Sequence, residues 1–135
     1  MKKKIKVFQL FRRAFDSDGN LIPKEQRTNK ILCIGTVLVP GNKKDFIEEC
    51  IWDLFNWTCW GGARGKRYDG YLSAIRKGFR KDGYRCFPNS NARGYCNSDI
   101  FFKLEDKWRI AKSFGWDIAD SYDEAVKKVI EQQHY

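Results

Sequence analysis

The chain has no apolar run approaching the roughly 18 residues of a membrane-spanning helix. Its first stretch, MKKKIKVFQLFRR, is basic but is interrupted at Lys6 and stopped at Arg12, short of a secretory apolar region. Neither a membrane partner nor export is expected, and the chain reads as cytoplasmic. Histidine is nearly missing: the one present, His134, is next to last, where fraying is the rule. A Cys-His or Ser-His-Asp catalyst would have to use it, which argues against that chemistry. The five cysteines lack close pairs, since Cys50 and Cys59 are nine apart and Cys86 and Cys96 ten apart. Structural zinc sites use pairs with about two to four residues between them. An odd number without framework spacing points to reduced, inert thiols, and no metal or cofactor is expected.

Phosphate-binding motifs are missing too. WGGARGKRYDGY, residues 60–71, is glycine-rich and basic, but a Walker loop has a glycine separated by four residues from its Gly-Lys pair and a hydroxyl after it. Counting from Gly65-Lys66 puts Trp60 at the first of those positions and Arg67 at the second. There is no G-x-G-x-x-G. In DSDGNLIPKE, Asp16, Asp18, Gly19 and Glu25 fall at calcium-loop spacing. The first ligand position would be Ala14, however, and the flanks read as strand, so an ordinary turn is expected. The carboxylates Asp69, Asp82, Asp99, Glu105 and Asp106 form no nuclease motif. The sequence therefore favours a binding protein over an enzyme.

Aromatic residues are plentiful, with ten Phe, six Tyr and five Trp, enough large apolar side chains for one core at this length. Charge is abundant and uneven. Residues 1–30 carry nine Lys/Arg against three Asp/Glu, 31–60 two against four, 61–98 nine against two, and 99–135 six against eight. Two basic blocks separated by a near-neutral one would form a basic face if the fold brought them together, and such a face concentrates polyanions.

Residues 4–15 are β-prone with apolar side chains on both alternating sets, which suits a strand covered on both faces or one bearing a bulge. DSDGN, 16–20, is turn chemistry, and KILCIGTVLV, 30–39, reads as a strand pairing antiparallel with the first. Asn42 caps a helix expected over about 43–59 and stopped by Gly61 and Gly62. Leu72, Ile75 and Phe79 are spaced for a short helix ending near Gly83, with Arg76, Lys77 and Arg80 as a stripe and Lys81 further round. Residues 88–99 read as loop. Residues 100–114 fit either a helix or a hairpin, and the alternation of Ile100, Phe102 and Leu104 favours the hairpin. Ser121 with Glu124 is a capping-box signature for a helix over about 122–133. The expectation is one α+β domain spanning 1–135, a small antiparallel sheet with two or three packed helices.

The functional reading centres on the second basic block. Arg64, Lys66, Arg67, Arg76, Lys77, Arg80, Lys81, Arg85 and Arg93 are interleaved with Tyr68, Tyr71, Tyr84 and Tyr95. Arginine takes phosphate oxygens bidentately or stacks on bases, and tyrosine offers a flat face to unpaired bases. This pattern suits a contact with RNA, DNA or a nucleoprotein complex. Two alternatives use the same residues. One is a protein-directed inhibitor that binds an acidic protein surface through anchors such as Trp57, Trp60, Trp108 and Trp116; its composition is similar to that of many phage-encoded proteins that block nucleic-acid-handling host complexes. The other is a binder of a nucleotide or small phosphate ligand, clamped by Arg64 and Arg67.

Overall fold

In the computed structural model, the structure describes residues 3–41, 47–52, 79–81, 83–89, 99–112 and 115–132. These build one antiparallel sheet of seven strands: β1 (Lys3–Arg12), β2 (Asn29–Val39), β3 (Phe79–Lys81), β4 (Tyr84–Pro88), β5 (Ile100–Leu104), β6 (Lys107–Ala111) and β7 (Trp116–Ala119). Their spatial order is β3-β4-β2-β1-β5-β6-β7. Two α-helical segments accompany them, α1 at residues 47–52 and α2 at Tyr122–Glu131. No helix among the described residues is long and apolar enough to cross a membrane.

The two alternating apolar sets of β1 explain the layering. Ile5 and Val7 belong to one buried cluster with Val37, Val39, Cys86, Phe102 and, from α1, Ile47 and Ile51. Leu10, with half-buried Phe8 beside it, belongs to a second cluster with Phe101, Ile110 and, from α2, Ala125 and Val129. The central strand is thus covered on both faces, each by a different helix, and every fully buried Val, Ile or Phe contributes about 1.5–3 kcal/mol. The expected bulge is also present. The β1–β2 ladder pairs Val7 with Gly35 and Phe8 with Cys33, which leaves Ile34 as the extra residue. Asn89 ties β4 to this irregularity: its backbone N–H donates to the Ile34 carbonyl at 3.0 Å and its amide Nδ2 to the Cys33 carbonyl at 2.8 Å.

The turn at 16–20 forms as its composition dictates. Asp16 accepts from the backbone N–H groups of Asp18 and Asn20, both at 2.9 Å, and Gly19 adopts φ 83°. Residues 100–111 are a hairpin in which Leu104 pairs with Lys107. In α2, Ser121 caps the helix by accepting from Glu124 N–H at 3.1 Å, while Glu124 accepts from the Asp120 N–H at 3.0 Å.

Two expectations are corrected. The helix proposed to end near Gly83 is, at its described end, strand β3: Phe79–Lys81 pairs with β4 with Lys81 opposite Tyr84. The two intervening residues are Asp82-Gly83, a dipeptide that signals a hairpin, and Gly83 has φ 88°. Read as a helix stop, Gly83 hid the hairpin. Pro88, placed at the start of a loop, is instead the last residue of β4 and is buried. The sheet is therefore larger than composition suggested, and among the described residues two α-helical segments are present. The first turn and last residues of the 43–59 helix, and residues 60–78 after it, lie outside the described residues.

Candidate functional site

The sheet is divided by charge. Its four strands β3, β4, β2 and β1 contain no Asp or Glu, yet carry Lys3, Lys4, Lys6, Arg12, Lys30, Arg80, Lys81 and Arg85. Seven carboxylates gather at the other end, at Glu105 and Asp106 between β5 and β6, Asp117 in β7, and Asp120, Asp123, Glu124 and Glu131 in or beside α2, while Asp16, Asp18 and Glu25 lie in the β1–β2 connection and Glu48 and Glu49 in α1. Ion pairing follows the same division. Lys107 donates to Asp120, Lys128 lies 3.6 Å from both Asp117 and Glu124, and Arg109 donates to Glu48 at 2.7 Å, joining β6 to α1. Among the described residues, Lys4, Lys6 and Arg85 make no ion pair.

The register sets these bases on one surface. Residues opposite one another in an antiparallel ladder share a face. Lys4 pairs with Leu38, Leu38 with Arg85, and Arg85 with Arg80, giving one row across β1, β2, β4 and β3. The next row runs Lys6, Thr36, Phe87. Both lie on the face opposite buried Ile5, Val7, Val37 and Cys86. This is the face that α2 covers further along, but α2 packs on β5, β6 and β7. Lys4 and Lys6 are accordingly exposed, and Arg85 and Phe87 half-buried. The Arg85 guanidinium carbon lies 4.7 Å from the centre of the Phe87 ring, within cation–π range.

At the border between the open and covered parts stands an aromatic cluster. Phe8, two residues beyond Lys6 on the same face, stacks on Phe101 with centroids 5.7 Å apart. Trp108 lies 6.0 Å from Phe8 and 5.4 Å from Tyr122, whose ring packs edge-on at the start of α2 and stays 42% exposed. Such tilted and edge-to-face contacts favour the aromatic quadrupoles. The cluster thus supplies a rigid wall to the basic surface.

No family model matches the chain, and no curated protein or solved structure matches it either.

Of the residues singled out in the sequence, Arg64, Lys66, Arg67, Tyr68, Tyr71, Arg76, Lys77 and Arg93 lie outside the described residues, as do Tyr95, Trp57 and Trp60. Arg85 lies on the basic surface, and Arg80 stands opposite it in the register. Lys81 is opposite Tyr84, so it belongs to the other face. The expected helix had Arg80 in its stripe with Lys81 further round, whereas a strand assigns neighbours to opposite faces. Tyr84 is 1% exposed and is a core residue, not a stacking platform. Trp116 packs edge-on against Phe102 with centroids 5.4 Å apart, and Trp108 is built into the aromatic cluster. Lys4, Lys6 and Phe87 were not singled out by the sequence. Their signal was the basic start of β1 and the alternation of YRCFP, legible only once β4 is known to be a strand.

The described thiols Cys33, Cys50 and Cys86 are free. Burial pushes the Cys86 thiol well above its ordinary pKa, so it is a poor nucleophile. Among the described residues, no three His, Cys, Asp or Glu side chains gather as a metal ion requires. At the acidic end, the side-chain hydrogen bond to Lys107, with its charge, lowers the Asp120 pKa, and the same contact raises that of Lys107. The carboxylate term is present above the ordinary Asp value and lost as pH falls through the lowered one. The ammonium term is present below the ordinary Lys value and lost as pH rises through the raised one. The pair therefore persists across neutral pH, and as a solvent-exposed contact it is weakened by salt.

Proposed function

We propose that this protein is a non-enzymatic binding protein that engages nucleic acid, RNA or DNA, alone or within a nucleoprotein complex, in the cytoplasm. The observation that carries this reading is the carboxylate-free half of the sheet, where Lys4, Lys6 and Arg85 share an open face without ion-pair partners among the described residues. Unpaired cations on a common face attract polyanions, and each phosphate they neutralise releases a counterion. The basic residues Arg64, Lys66, Arg67, Arg76, Lys77 and Arg93 of the same sequence block belong to the same reading.

The test is the salt dependence of binding to an oligonucleotide. Wild-type affinity should fall with salt at a log–log slope of several units. Replacing Lys4, Lys6 and Arg85 together by alanine should shrink that slope by about 2 to 2.7, since each contact contributes about −0.7 to −0.9. A flat salt response in the wild type, or an unchanged slope in a folded triple variant, rejects the interface. A second triple variant, of Arg64, Lys66 and Arg67, asks whether the glycine-rich stretch contributes; lost affinity with folding intact is the expected result.

A further inference from the structure

We propose that this face, which no described element covers, takes an unpaired nucleic-acid strand, with the Phe87 ring as a base platform from which the Arg85 guanidinium moves to a phosphate. The proposal rests on the nucleic-acid reading above and names the form of the polymer. Two observations carry it.

The first is shape. Adjacent strands are about 4.8 Å apart and residues along a strand about 3.4 Å, so the rows place Lys4 and Lys6 about 7 Å apart and Arg85 about 10 Å across the sheet from Lys4. The bases therefore cover a broad surface. A major groove about 12 Å wide admits a helix or a two-stranded ribbon, and β3, β4, β2 and β1 form four strands continuous with β5. This surface cannot enter a groove to reach base edges. A strand with splayed bases can lie flat on it.

The second is the pairing of ring and cation. Phe87 is an aromatic residue on this half of the face, one row from Arg85 and opposite Thr36, which is itself opposite Lys6. Arg85 covers its ring at 4.7 Å. Aromatic rings of this kind stack bases without regard to sequence, and the displaced guanidinium is well formed for bidentate contact with phosphate. A base and its phosphate would thus replace one cation–π contact with a stack and a charge-assisted hydrogen bond.

Fluorescence anisotropy on the full chain at low salt tests the proposal with three probes, the two single-stranded ones of equal phosphate number. They are an unpaired oligonucleotide of about 12 nucleotides, its duplex, and an abasic sugar–phosphate oligomer. The unpaired strand should bind at least about 5-fold more tightly than the abasic oligomer and more tightly than the duplex. Phe87→Leu should weaken binding of the unpaired strand by about 5- to 150-fold and leave the abasic oligomer unaffected, and Phe87→Trp should restore affinity. Equal affinity for unpaired and abasic probes, or for unpaired strand and duplex, overturns the base platform while the nucleic-acid interface stands. That comparison uses the wild type and decides the matter even if Phe87→Leu does not fold. Failure of all three probes to bind removes the interface itself, and capture of polyglutamate in their place would make an acidic protein surface the partner.

Discussion

Arg85 owes its position to its neighbours. Tyr84 and Cys86 are both buried, and the alternation of a strand then delivers Arg85 and Phe87 to the opposite face. The same logic makes Cys86 a sensitive reporter of the fold, because its thiol is buried and its pKa raised. In a thiol-labelling experiment on the native protein, Cys86 should react only as fast as the sheet opens, while half-buried Cys33 and Cys50 react sooner. Rapid native-state labelling of Cys86 would contradict this arrangement of β4. A second residue-scale expectation concerns Glu105, which adopts φ 58° in the β5–β6 turn. A left-handed conformation costs an ordinary side chain about 1 kcal/mol, and asparagine tolerates it better. Glu105→Asn should therefore raise the unfolding free energy by up to about 1 kcal/mol, read as a higher denaturant midpoint with unchanged m-value. A lowered midpoint would show that the glutamate side chain has a role in the turn.

At the scale of elements, legibility followed length and local signals. β1, β2, the β5–β6 hairpin and α2 were readable because each is long, or alternates, or is marked by a cap or turn. β3, β4 and β7 have three, five and four residues, too few for periodicity to speak, and they form through pairing with longer neighbours. The glycine of Asp82-Gly83 fits both a helix stop and a hairpin turn, and the ladder partner decided between them. α2 depends on its cap: removing the Ser121 hydroxyl should cost about 1 kcal/mol, measured as Ser121→Ala in denaturant unfolding. No loss would mean that burial of Ala125 and Val129 alone holds the helix. The β7 edge is guarded by side chains. The Ile118 carbonyl accepts from Lys128 at 2.8 Å, and its N–H donates to Asp117 at 2.9 Å, which occupies groups an incoming strand would use.

Across the whole molecule, the sequence already showed two basic blocks, and the sheet order explains what they become. β1 from the first block and β3–β4 from the second flank β2, a strand whose only charged residue is Lys30. One long strand, nearly neutral in sequence, thereby joins two cationic segments on one surface, while the carboxylates of residues 105–131 collect at the far end. That juxtaposition is a property of ladder register and strand order, which no local pattern in the sequence encodes. The charge was therefore legible in the sequence, and the placing of Lys4, Lys6, Arg85 and Phe87 on one face was not; most of the residues singled out in the sequence lie outside the described residues.

The most direct measurement is a map of backbone amide shifts in the isotope-labelled protein as an unpaired oligonucleotide is titrated at low salt. Saturable shifts concentrated on β1, β2 and β4, at Lys4, Lys6, Thr36, Arg85 and Phe87, with α2 beyond Tyr122 silent, are the predicted result. Shifts confined to α2 and β7, or none at all, would contradict the basic half of the sheet as the interface.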